Sequence, residues 1–151
     1  MPSFTLHSPT VASRGLISAV SVNVCVAAEE VFLRSGKIPE PSVTTAKIDT
    51  GADRSVICQG FVEKLGLMPV GLSLVDTPSS QNIPCYEYAV RLVFPNEVVW
   101  QGSMLEFPTH NGKINGDGNG NGNPCILIGR DILSHGILTY IGYDNSFTLS
   151  F

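Results

Sequence analysis

The chain has 151 residues, of which 43% are hydrophobic and only 15% charged, with a formal net charge of −4. That length fits one domain with its own core, and the apolar balance excludes a disordered chain. With no Lys/Arg cluster, nothing here recruits a polyanion, so nucleic acid is excluded as a partner.

Residues 1–15 form an N-terminal arm, loose or paired as an edge strand. The stretch 15–28, "GLISAVSVNVCVAA", is too short to span a bilayer and contains Ser18, Ser21 and Asn23. Its valines 20, 22, 24 and 26 alternate with smaller or polar residues, the period of a strand. It is read as structure, with no membrane partner and a soluble, cytoplasmic protein expected. Residues 28–33 are expected to continue this strand into a hairpin. Gly36, Pro39 and Pro41 then make a turn, and Val43 to Ile48 is a β-branched run leading into Asp49.

After the triplet Asp49-Thr50-Gly51, "RSVI" is short and apolar, and "FVEKLGL" (61–67) predicts one or two helical turns stopped at Gly66. Residues 71–76 predict a strand, and "TPSSQNIP" (77–84) a polar hairpin tip. Tyr86 to Phe94 alternates cleanly, Pro95-Asn96 turns the chain, and 97–107 returns. The segment 111–124 is rich in Gly and Asn. It echoes a calcium loop, but Asp117 is its only acid, so a flexible insertion is the reading. "CILIG" (125–129) predicts a buried strand, "RDILSH" a helical turn, and "ILTYIGY" with "SFTLSF" a final hairpin. The predicted class is all-β.

The candidate chemistry starts at Asp49. An Asp-x-Gly triplet is often an Asx-turn. Here a β-branched strand precedes it, and "ILIGRD" (126–131) follows much later. His7, His110 and His135 have no metal-ligand spacing, the four cysteines form no C-x-x-C pair, and no G-x-S-x-G elbow exists. No metal and no cofactor is called for.

The pairing of "DTGA" with "IGRD" in a β-rich chain resembles the retropepsin family, the retroviral-type aspartic proteases, over roughly residues 17–151. The resemblance implies a closed acid-protease β-barrel with one or two short helices, occupying residues 16–151 and working as a two-fold homodimer. It implies an aspartic endopeptidase that binds an extended peptide or protein substrate. The chain holds one D-T-G and no second copy, so the implied carboxylate pair needs Asp49 from each of two subunits. Thr50 resembles the threonine whose hydroxyl bonds to the opposite subunit, and Gly51 the residue that lets backbone approach the carboxylates. Ala52 and Asp53 match positions lining the substrate channel, and Asp53 resembles an acid paired with the arginine of Gly-Arg-Asp, here Arg130. The flap would be the hairpin whose tip carries Thr77, Pro78, Ser79, Ser80 and Gln81. That tip departs from the glycine-rich viral pattern. A catalytically weak dimerisation or peptide-binding module on the same fold is the alternative.

Overall fold

The computed structural model describes residues 1–106 and 124–151. Most of the Gly/Asn-rich stretch, and with it the calcium-loop question and His110, lies outside the described residues. Among the described residues, ten strands and four α-helices follow one another. Strand β1 (Ser3–His7) and the single turn α1 (Val11–Arg14) form the N-terminal arm. Strand β2 (Leu16–Val24) runs into helix α2 (Val26–Arg34), and β3 (Ser42–Ile48) ends at Asp49. The short β4 (Val56–Ile57) leads to α3 (Gln59–Lys64), and the long hairpin β5 (Pro69–Thr77) and β6 (Ser80–Val93) is followed by β7 (Val99–Glu106). After residue 123 come β8 (Ile126–Ile128), α4 (Arg130–Leu133), β9 (Ile137–Ile141) and β10 (Ser146–Ser150).

The expectation of an all-β closed barrel is corrected to a mixed α/β fold. The largest departure is α2, where a second hairpin strand is predicted. The valine alternation stops at Val26, and Ala28, Glu29, Glu30, Leu33 and Arg34 are strong helix formers. Glu30 and Arg34 add an ion pair one turn apart. Among the described residues, the large sheet has seven strands in the order β2-β3-β8-β4-β7-β6-β5, with β5 as an end strand paired to β6. Strand β2 also pairs with β6 between Ser21 and Val24. A separate three-stranded sheet, β1-β10-β9, holds both ends of the chain. Among the described residues, no helix is long and apolar enough to cross a membrane.

The core lies between these layers. Val20, Val22, Ile57, Val90, Leu92, Met104, Ile126, Ile128 and Ile132 are buried, each worth on the order of 1.5–3 kcal/mol relative to exposure. The arm is tied to this core by Phe4, whose ring stacks on Phe94 at 5.5 Å and meets Phe147 edge-on at 6.3 Å. The polar tip expected at 77–84 is shorter than that. Only Pro78 and Ser79 lie between β5 and β6, since Thr77 pairs with Ser80. Pro84 sits within β6, opposite Leu74. It is tolerated because pairing of β6 with β7 begins only at Glu87, so no ladder bond is lost on that side.

Candidate active site

Two strands deliver the site. β3 and β8 run parallel, with Ile48 beside Ile128, so their C-terminal ends place Asp49 and Gly129 side by side. The Asp49 N–H donates to the Ile128 carbonyl at 2.9 Å. Just beyond, the Gly51 N–H donates to Asp49 Oδ1 at 2.9 Å and the Ala52 N–H to the Asp49 carbonyl at 3.2 Å. The triplet is thus an Asx-type turn, and that turn holds the carboxylate in place. Asp49 is half-buried, while Thr50 and Gly51 are exposed.

The segment after β8 is bolted to the segment after Asp49. The Arg130 N–H donates to the Ala52 carbonyl at 2.9 Å, and the Asp131 N–H to the Asp53 carbonyl at 3.2 Å. The Gly129 N–H donates to Ser55 Oγ at 2.8 Å. The Asp131 carboxylate in turn accepts the Ser55 N–H, the Ser55 hydroxyl at 2.6 Å and the Ile132 N–H at 2.9 Å. Gly129 is required by closeness: a Cβ there would lie 2.7 Å from the Arg54 carbonyl carbon and 2.8 Å from its oxygen. Arg130 and Asp53 form an ion pair. Both side chains are mostly exposed, so the pair contributes little within one chain.

A cleft of about 740 Å³ opens beside Asp49, within the range of small-molecule and peptide pockets. Gly51, Ala52 and Asp53 line it on one side, Val56, Leu105 and Leu127 supply apolar wall, and β5 from Ser73 to Thr77, with Pro78, completes it. Among the residues predicted from sequence, Asp49, Gly51, Ala52, Asp53, Thr77 and Pro78 therefore meet around one cavity. Thr50, Ser79, Ser80 and Gln81 do not line it. Ser79 is in the exposed turn itself, and Ser80 and Gln81 belong to β6, with Gln81 exposed.

Sequence reasoning missed the polar bracket on the cleft's other side. Arg54, a lining residue, lies 3.4 Å from Asp131 and 3.5 Å from Glu87. Glu87 also accepts the Ser73 hydroxyl and, at 3.2 Å, the Ser103 hydroxyl. The Ser73 bond first, then the Arg54 charge, holds the Glu87 carboxyl below the usual range against the opposing effect of burial. Arg54 and Ser55 directly follow the read motif and Asp131 is the last residue of "IGRD", so adjacency was the available signal. Glu87 carried none, being one polar position in an alternating strand. Among the described residues, no group of three or more His, Cys, Asp or Glu is placed to hold a metal ion.

No family model matches the chain, and no curated protein does. Among solved structures, it is similar to the crystal structure of a retropepsin-like aspartic protease from Rickettsia conorii. The two are 12% identical, the match covers 98% of this chain and 90% of that one, and the TM-score is 0.50. At that identity the likeness is one of fold, and the chain shares the fold of a retropepsin-like aspartic protease over nearly its whole length.

Proposed function

We propose that this chain is a peptide-binding half-site of the retropepsin-like fold, and that opposing it with a second copy makes an aspartic endopeptidase. The observation that carries this reading is the placement of Asp49. Its carboxylate is fixed by the Gly51 N–H and lines a cleft with an apolar wall and with β5, whose outer edge is free among the described residues, alongside. A free edge offers backbone N–H and C=O groups to an extended peptide, and the alternating side chains of that peptide would fill the wall.

With Asp49 of a second copy close by, the two carboxylates would share one proton, because close like charges cannot both ionise. The ionised member would take a proton from a water molecule as that water attacks the scissile carbonyl. The protonated member would donate to the carbonyl oxygen, and the proton would then pass to the leaving amine. Thr50, exposed next to Asp49, would bond across the two-fold axis, and the Arg130–Asp53 pair would brace the interface.

One observation favours the second reading, a peptide-binding or dimerisation module with little turnover. Of the expected flap-tip residues, Ser79, Ser80 and Gln81 do not line the cleft beside Asp49. Cleavage of unfolded protein between pH 3 and 7, with and without a transition-state mimic such as pepstatin, separates the two. The endopeptidase reading expects inhibitable cleavage that disappears in Asp49→Asn while that variant stays folded. Cleavage retained in Asp49→Asn sinks the role of Asp49, and binding of the mimic without cleavage supports the module.

A further inference from the structure

Strands β4 and β8 are antiparallel neighbours, with Ile57 opposite Ile126. The next pair outward is Cys58 and Cys125, and the Cys58 N–H donates to the Cys125 carbonyl at 2.9 Å. Facing residues of antiparallel strands have Cα atoms roughly 4.5–5.5 Å apart, within the span of a disulfide. Both side chains are buried, and Cys125 is near enough to Cys58 to help raise its thiol pKa. The other two cysteines lie elsewhere: Cys25 precedes α2, and Cys85 on β6 is opposite Ser73. All four are reduced.

We propose that Cys58 and Cys125 are an oxidation site, closing into an intramolecular disulfide that staples β4 to β8 behind the candidate active site. β4 leaves the loop that carries Asp49 and Ser55, and β8 enters the segment that carries Gly129 and Asp131. The staple would therefore hold together the same two segments that the Ser55–Asp131 bonds join at the other end. It does not depend on the activity of Asp49.

The co-reactant is a low-molecular-weight disulfide such as oxidised glutathione. One protein thiolate attacks a glutathione sulfur, forming a mixed disulfide and releasing one glutathione thiolate. The second protein thiolate attacks the protein sulfur of that bond and releases the other. The protein loses two electrons, oxidised glutathione gains them, and the two thiol protons end on two glutathione molecules. Burial, and then the neighbouring Cys125, push the Cys58 thiol up to about 12, so little thiolate exists in the folded chain at neutral pH. The staple forms chiefly while the chain folds or opens locally, and more slowly in the closed native state.

The test uses the full chain, refolded in a glutathione redox buffer at pH 8.5, with a native sample incubated in parallel. Thiols still reduced are alkylated in denaturant, and the tryptic digest is analysed by mass spectrometry. The expected product joins peptides 55–64 and 114–130, with Cys25 and Cys85 alkylated. The link should appear in the refolded sample, whether or not the native sample has also formed it. It closes a loop of roughly 70 residues, so Tm should rise by roughly 10 °C. Dithiothreitol should reverse that rise, and Cys58→Ser should not show it. A refolded native chain with both thiols still alkylatable, a link through Cys25 or Cys85, or stable glutathione adducts on Cys58 or Cys125 would each overturn the proposal.

Discussion

The Ser55 backbone N–H donates to both oxygens of the Asp131 carboxylate, at 3.0 and 2.9 Å, while the Ser55 hydroxyl donates to one of them at 2.6 Å. Ser55 is fully buried, so its donors have no water to fall back on. This contact adds side-chain acceptors to the backbone bonds that join the chain after Asp49 to the chain after Gly129. Asp131→Ala removes the acceptor and strands those donors. It should lower unfolding free energy by about 2–4 kcal/mol in urea titrations. A loss within about 0.5 kcal/mol, the range of an ordinary surface change, contradicts this role.

Two glycine substitutions should have opposite signs. At Gly129 a Cβ meets Arg54 backbone, which cannot swing aside, so Gly129→Ala should destabilise by roughly 1–3 kcal/mol. At Gly60, inside α3, a Cβ meets open space. Gly60→Ala should stabilise by roughly 0.5–1 kcal/mol through helix propensity. Paired thermal melts decide both.

Glu87 sets a pH dependence. Its folded carboxyl is held below its ordinary value of 4.5, so it binds a proton less readily folded than unfolded. The stability it contributes is full above about pH 4.5 and is lost as pH falls through the lower folded value. The stability gap between wild type and Glu87→Gln should be constant from pH 6 to 7 and narrow progressively below about 4.5. A gap that is unchanged down to pH 3 would remove the carboxylate from the account.

The Arg130–Asp53 pair should matter little to one chain's stability. With side chains 59% and 78% exposed, a double-mutant cycle on Arg130→Gln and Asp53→Asn should give a coupling below about 1 kcal/mol in urea. A coupling of several kcal/mol would place the pair in a desolvated setting instead.

Most strands were legible because their periodicity was clean. Val20, Val22 and Val24 are buried in β2, and Tyr88, Val90 and Leu92 are buried at alternate positions of β6. Gly66 adopts the left-handed φ of +60° that ends α3, as its position after "FVEKL" predicted. Helix α2 is hidden from periodicity because valine alternation runs up to Val26, although the residues that follow favour a helix. The closed all-β barrel falls with it, since the strand order of the large sheet and the separate terminal sheet are set by long-range pairings that no local pattern encodes. At the site, the Asp49 turn and its approach to Gly129 follow from two local motifs. The Arg54–Glu87–Ser73 bracket was invisible because its members come from three distant stretches and meet only through the sheet.

On the proposed function, one chain carries half of the site. Mixing wild type with Asp49→Asn at constant total concentration tests it most directly, with the peptide-cleavage rate as readout. If each site needs Asp49 from two chains that exchange freely, an equal mixture keeps about one quarter of the wild-type rate, because only pairs of wild-type chains are complete. A rate that falls in proportion, to about one half, would mean that each chain holds a whole site and would contradict the account.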